Sequence, residues 1–193
     1  RTQQAWRKAR LMERPIFKPI GTPERELDTP ALVVDIGRLE QNIETMHSFF
    51  LDRAAKLRPH VAAHGSPAIA HMQLAAGGTV GGVTATTVGQ AEAFADNGFN
   101  DIFITNIVVT PAKIQRLCAM AQRIKVTVEV DSTKNVQDLS EAAASSAVTL
   151  NIVVNVHARL NSTGVAPGGP AVELARAVND TSGLTFAGLS TYE

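Results

Sequence analysis

The chain has 193 residues, of which 45% are hydrophobic and 19% charged, so it is long and apolar enough to bury the core of an ordinary globular domain. Its 18 basic and 18 acidic residues balance, which argues against nucleic acid or an anionic membrane as a partner. No apolar run is long enough to span a bilayer and no secretion signal opens the sequence, so we expect a cytoplasmic location.

The single cysteine, Cys118, lies among apolar residues at helical spacing. This pattern predicts a buried structural thiol rather than a nucleophile, and one cysteine excludes a disulfide within the chain.

Short apolar runs alternate with amphipathic segments along most of the chain. Residues 1–30 are rich in proline and mixed in charge, which predicts an irregular N-terminal arm. After the arm, the pattern predicts seven strands, at residues 31–35, 57–63, 80–85, 101–105, 125–130, 149–156 and 184–192. It also predicts six helices, at residues 37–50, 67–76, 88–97, 111–123, 133–144 and 170–179.

The alternation predicts an α/β fold with a parallel sheet covered by helices. Strands of nearly continuous Val, Ile and Leu separated by helices are typical of such sheets. An open dinucleotide-binding sheet would carry a glycine-rich turn after its first strand, and none follows residues 31–35. We therefore predict a (β/α)8 TIM-type barrel over residues 31–193 that is incomplete, because seven strands fall one short of eight.

The segment 57–67 carries the most unusual residues of the predicted sheet. In a strand, alternate side chains share a face, so Arg58, His60, Ala62 and His64 would point the same way. Two imidazoles and a guanidinium on one face are atypical of a core strand, and they predict the wall of a pocket.

Several segments resemble the D-threonine aldolases and the eukaryotic-type D-serine dehydratases. These segments are residues 28–35, 57–61, 82–84 with 91–93, and 188–193. The resemblance implies an alanine-racemase-like, fold type III barrel and the cofactor pyridoxal phosphate. Members of this family continue into a β-domain that holds the His and Asp of a divalent metal site, and these 193 residues do not include that domain.

The resemblance also identifies which residues are replaced. The family sequence Arg-Pro-His-Val-Lys-Thr-His-Lys provides the lysine that forms a Schiff base with the cofactor, and Ala62 occupies that position here. In a second family segment, Ser162 replaces an arginine that reaches the cofactor and His157 replaces an aspartate. A methyl group cannot form a Schiff base, so Ala62 removes the covalent tether.

The family pattern implies a set of site residues. Those at the cofactor would be His60, His64, Ser162 and Tyr192, with Tyr192 and the position of Ala62 as the catalytic places. Arg159 would join them by replacing the lost positive charge near a phosphate. The alternatives are structural: Tyr192 as the anchor of a strand end, Arg159 as a solvent-facing side chain, and histidines without a ligand.

Three functions remain open from the sequence. The first is a pyridoxal-phosphate-dependent lyase acting on D-amino acids. The second is a non-catalytic homologue that binds a small amino-acid-like ligand or a partner subunit, with a homodimer implied by the family. The third is metal chemistry at His60, His64 and His157, although the sequence contains no closely spaced ligand motif.

Overall fold

Five parallel strands form one sheet in the part of the chain that the structure, a computed structural model, describes: residues 18–19, 21–157 and 163–192. The strand order follows the sequence, from β1 to β5. The strands are β1 (Val83–Ala85), β2 (Asp101–Ile107), β3 (Lys125–Val130), β4 (Leu150–Asn155) and β5 (Leu184–Ser190). The chain divides into two units, residues 1–40 and 41–193, and the sheet lies in the second.

All six predicted helices are present. They are α1 (Ile36–Phe50), α2 (Pro67–Ala75), α3 (Val88–Ala95), α4 (Pro111–Ala121), α5 (Thr133–Ser146) and α6 (Gly169–Asn179). The hydroxyls of Ser66 and Ser132 accept backbone N–H bonds at the starts of α2 and α5. Thr110 is the residue before α4, but its side chain makes no capping bond. Among the described residues, no helix is both long enough and apolar enough to cross a bilayer.

Two of the seven predicted strands are not formed in the described residues. Residues 31–35 carry no ladder of backbone hydrogen bonds, and the side chains of Leu32, Val33 and Val34 are exposed. In the same unit, the Asp35 carboxylate accepts the backbone N–H of Arg38 and so begins α1. An apolar β-branched run predicts strand propensity, but a strand exists only where a neighbouring strand pairs with it.

The second missing strand is the segment 57–63. Leu57 bridges to Thr79, which precedes the sheet, and His60 bridges to Thr84 of β1. Pro59 has no N–H to donate to a ladder, and Val61–Ala63 coil into a 3-10 turn. The prediction of a continuous strand here was therefore wrong, although the segment does lie along β1.

The sheet has one apolar face and one face with many polar side chains. In β3, Val126, Val128 and Val130 point to the helices and form part of the core, whereas Thr127 and Glu129 point the other way. The polar face extends across the neighbouring strands, because Thr127 pairs in register with Asn151 of β4, and Asn151 pairs with Thr185 of β5. Within the described residues 41–157 and 163–192, the helices therefore cover the apolar face, and the polar side chains line the other.

The strand β5 is the last in the sheet. Within the described residues it pairs with β4 alone, and its side chains Phe186 and Leu189 are exposed. These two side chains and Val172 of α6 line a groove of about 490 Å³.

Three charged residues join the amino ends of neighbouring strands. The Asp101 carboxylate of β2 accepts one bond from Arg58 at 2.8 Å and one from Lys125 of β3 at 3.1 Å. A Cβ on Gly82 would lie only 2.6 Å from the Asp101 carbonyl oxygen, so glycine leaves the room that this contact needs. Burial disfavours the charged form of Asp101, but the bonds from Arg58 and Lys125 outweigh it and lower the pKa of the carboxyl group.

We expect Asp101→Asn to destabilise the protein at neutral pH by about 2 kcal/mol, because the charged partners lose their carboxylate. A lowered pKa means that this stabilisation is present above about pH 4 and disappears as the pH falls through the folded-state pKa. The variant should therefore lose less stability on acidification than the parent, measured by urea unfolding at several pH values.

The matched control is Asp96→Asn, which removes the exposed pair with Arg123 and should cost less than about 0.5 kcal/mol. Equal losses in the two variants would contradict a special role for Asp101.

The prediction of a buried cysteine is confirmed. Cys118 on α4 is fully buried, and burial raises the pKa of its thiol, while a bond with Ser146 acts in the opposite direction.

We expect Cys118 to react with iodoacetamide in the folded protein at least ten-fold more slowly than in urea, because the buried thiol is both protonated and inaccessible. Mass spectrometry of timed samples measures the rates. Rapid labelling of the folded protein would contradict the buried position.

Candidate functional site

The segment after His60 departs from the alternation that a strand would show. His60 is followed by the 3-10 turn Val61–Ala63, and Gly65 then adopts a positive φ of 63° before α2 begins. Alternate residues of the segment consequently do not share one face. Arg58 points to the amino end of the sheet, where it pairs with Asp101, and does not belong to the pocket wall that the sequence predicts.

His64 has a structural role at the start of α2. Its Nδ1 accepts the backbone N–H of Ser66 at 3.0 Å, so Nε2 carries the hydrogen and donates it to Gln73 Oε1 at 3.2 Å. Both ring nitrogens of His64 therefore form hydrogen bonds with residues at the start of α2 or within it. His64 is therefore not directed at a ligand.

His60 lies at the carboxyl end of the sheet. Its side chain is exposed, and its Nε2 lies 3.5 Å from the hydroxyl of Thr105 on β2. His157 follows β4 and is half-buried. Within the described residues, no three His, Cys, Asp or Glu side chains form a group that could hold a metal ion, so His60, His64 and His157 do not assemble the predicted ligand set.

Ala62 is exposed in the turn that follows His60. Pyridoxal phosphate needs a lysine amine at this place. In residues 41–157 and 163–192, two of the lysines are held elsewhere: Lys56 Nζ donates to the carbonyls of Phe50 and Leu51, and Lys125 pairs with Asp101. Lys134 pairs with Asp138 on α5.

Lys113, on α4, is the remaining lysine of this part of the chain. It lines a cavity of about 70 Å³ between the loops that follow β1 and β2. Such a cavity is well below the size of ordinary cofactor sites. The lysines described in residues 41–157 and 163–192 therefore do not fit a covalently tethered pyridoxal phosphate at position 62.

The remaining predicted site residues fall in two groups. Tyr192 follows β5, and its side chain is 79% exposed, so the alternative of a core anchor is wrong. Arg159 and Ser162 lie outside the described residues.

A carboxylate that the sequence analysis missed lies near the carboxyl end of the polar face. Glu129 of β3 is only 5% exposed, and its Oε2 accepts a bond from the Asn155 amide of β4 at 2.8 Å. The one available signal was the sequence of β3, in which Thr127 and Glu129 interrupt a run of valines at a spacing of two.

The loop before α6 packs against these residues. The Gly164 N–H donates to Asp131 at 3.3 Å, and Val165 pairs with Val156 beyond the end of β4. A Cβ at position 164 would lie 2.8 Å from the backbone nitrogen of His157, so glycine allows the loop to pack closely against the end of β4. His60, Thr105, Glu129, Asn155 and Ser190 together form what we term the carboxyl-end cluster. In α/β barrels, ligands bind at this end of the strands.

Comparisons with known proteins agree with this architecture. The chain is 37% identical over 174 residues to a 3-hydroxy-D-aspartate aldolase from Paracoccus denitrificans, a match that covers 90% of this chain and 45% of the relative. It is 35% identical over 172 residues to a D-threonine aldolase from an Arthrobacter species, covering 89% and 45%. The chain thus spans about half the length of these curated relatives.

A solved structure supports the same conclusion. The crystal structure of D-threonine aldolase from Filomicrobium marinum superposes with a TM-score of 0.81 at 40% identity, covering 84% of this chain and 43% of that one. The family model described as "Alanine racemase, N-terminal domain" matches residues 34–193. This match takes in most of the chain, including the whole sheet and the carboxyl-end cluster, and the chain therefore belongs to the alanine racemase N-terminal domain family.

Proposed function

We propose that this chain is the barrel part of a cytoplasmic, homodimeric homologue of the D-amino-acid lyases that binds a small amino-acid-like ligand without Schiff-base chemistry. The observation that carries the proposal is Ala62 in the exposed turn after His60. A methyl group at this position provides no nucleophile and no acid or base.

The surroundings of the turn support the same proposal. His64 is used in the start of α2, and the lysines Lys56, Lys125 and Lys134 are bound elsewhere. At the same time the scaffold of the family is intact in β1–β5, and polar side chains remain at the carboxyl ends of the strands. A family fold in which the Schiff-base lysine is replaced by alanine is more consistent with binding of a small ligand than with the lyase reaction.

The lyase reaction itself is the second candidate, because the relatives named above are D-threonine and 3-hydroxy-D-aspartate aldolases. It requires another lysine to replace the one missing at position 62. Lys113 is the candidate, since it lines a cavity beside the loops that follow β1 and β2.

We expect no single lysine of the full-length protein to be modified stoichiometrically when it is incubated with pyridoxal phosphate and reduced with borohydride. The reason is that the amine expected at position 62 is missing. Peptide mass spectrometry locates any pyridoxyl-lysine. Full modification of one lysine, Lys113 above all, would overturn the proposal and favour the lyase.

The substitution Ala62→Lys tests whether position 62 is the tether site. We expect a reducible adduct at residue 62 with at least ten-fold higher occupancy than in the parent protein, because the amine is restored at the family position. The matched control is Ala63→Lys, which places an amine at the next position of the same turn, where the residue is also exposed. Equal labelling of the two variants would show only surface reactivity and would contradict the assignment.

A further inference from the structure

Asn97 and Gly98, which lie exposed just after the end of α3, form the one place in the sequence where a glycine follows an asparagine. An asparagine in this position is prone to deamidation, because the backbone nitrogen of the next residue can attack the side-chain amide carbon. Glycine has no side chain to obstruct that attack. Asn106, by contrast, precedes Ile107, whose branched side chain shields the corresponding nitrogen.

In the folded chain, both groups that would react are held in hydrogen bonds at the end of α3. The Asn97 side-chain amide donates to the Ala93 carbonyl at 2.8 Å, and the Gly98 N–H donates to the Ala95 carbonyl at 3.1 Å. Ala93 and Ala95 belong to the last turn of the helix, whose carbonyls have no partner within the helix. Asn97 and Gly98 therefore cap α3, and the cap restrains the two groups that must meet in the reaction.

A second helix holds the same turn. His71 of α2 donates from Nε2 to the Asn97 carbonyl oxygen at 2.9 Å, and its ring stacks on Phe99 with the ring centroids 4.2 Å apart. Phe99 is 2% exposed and anchors the chain in the core directly after the turn. The carbonyl that His71 binds belongs to the same peptide group as the Gly98 nitrogen, so this bond restrains the orientation of the attacking group.

We propose that Asn97 is a site of spontaneous deamidation, that its rate is limited by opening of the turn after α3, and that His71 controls this opening. In the reaction, the Gly98 nitrogen loses its proton and forms a bond to Asn97 Cγ, the bond from Cγ to Nδ2 breaks, and ammonia leaves. Water then opens the resulting ring to give aspartate or isoaspartate at position 97. Helix ends open more readily than the core of a domain, so the site reacts without global unfolding.

The product would weaken the turn that protects the site. A carboxylate at position 97 cannot donate to the Ala93 carbonyl, and it adds a negative charge next to Asp96, which pairs with Arg123. Negative charge at the carboxyl end of a helix is unfavourable. Isoaspartate also inserts an extra carbon into the main chain, which displaces Gly98 from its bond to Ala95.

The test follows deamidation of the full-length protein at mildly alkaline pH by peptide mass spectrometry of timed samples. We expect Asn97 to react about ten-fold or more slowly in the folded protein than in urea, because the closed turn must open first. His71→Ala should raise the folded-state rate by about three-fold to ten-fold, because it removes a hydrogen bond and a ring contact that oppose opening. In urea the variant and the parent should react at equal rates, since His71 is distant in sequence from the reacting groups.

The matched control is Ser140→Ala, which removes an exposed bond from α5 to the Ser182 carbonyl and should leave the rate at Asn97 unchanged. Circular dichroism establishes that each variant is folded. If His71→Ala does not fold, His71→Phe gives the same comparison, because it keeps a ring on Phe99 and removes only the hydrogen bond.

Three results would each overturn the inference. The first is an equal rate at Asn97 in the folded protein and in urea, and the second is an unchanged folded-state rate when His71 is replaced. The third is a reaction in urea that is no faster at Asn97 than at Asn106.

Discussion

The shared carboxylate of Asp101 is the interaction on which the arrangement of the site depends. It joins the segment before His60, the start of β2 and the start of β3 through Arg58 and Lys125. Parallel strands have no hairpins to fix their register, so a charged contact between their amino ends helps to align the opposite ends. Gly82 is part of the same arrangement, because any larger residue would displace the Asp101 backbone. The segment that carries His60 and the strand that carries Glu129 are thus joined by a contact at the far end of the sheet.

Much of the fold could be predicted from the sequence because helices and buried strands carry local signals. All six helices and the five strands of the sheet lie close to their predicted positions, since capping serines and runs of Val and Ile are visible without a partner. The errors concern residues 31–35 and 57–63. Strand pairing is a tertiary property, and Pro59 together with the turn Val61–Ala63 breaks a ladder that the apolar pattern alone suggests.

The candidate site could be predicted only in part, for a related reason. The position of Ala62 followed from the resemblance, whereas the assignment of Arg58, His60 and His64 to one face assumed a strand that is not formed. Glu129 was missed because the sequence around a carboxylate between valines does not indicate whether that carboxylate contacts solvent, a cation or a buried amide. Only the structure shows that Asn155 is its partner and that it is nearly inaccessible. Side-chain environment in a sheet is determined by the neighbouring strands, and these are distant in sequence.

The exposed strand β5 has a practical consequence for handling the polypeptide. Phe186 and Leu189 stand beside a row of backbone groups that no other described strand pairs. A strand edge of this kind can template the addition of a strand from another molecule. Residues 1–193 expressed alone would thus be prone to self-association at high concentration, and light scattering should precede any measurement of affinity. A charged substitution at the exposed Leu189 would be the first choice for keeping such a preparation monodisperse.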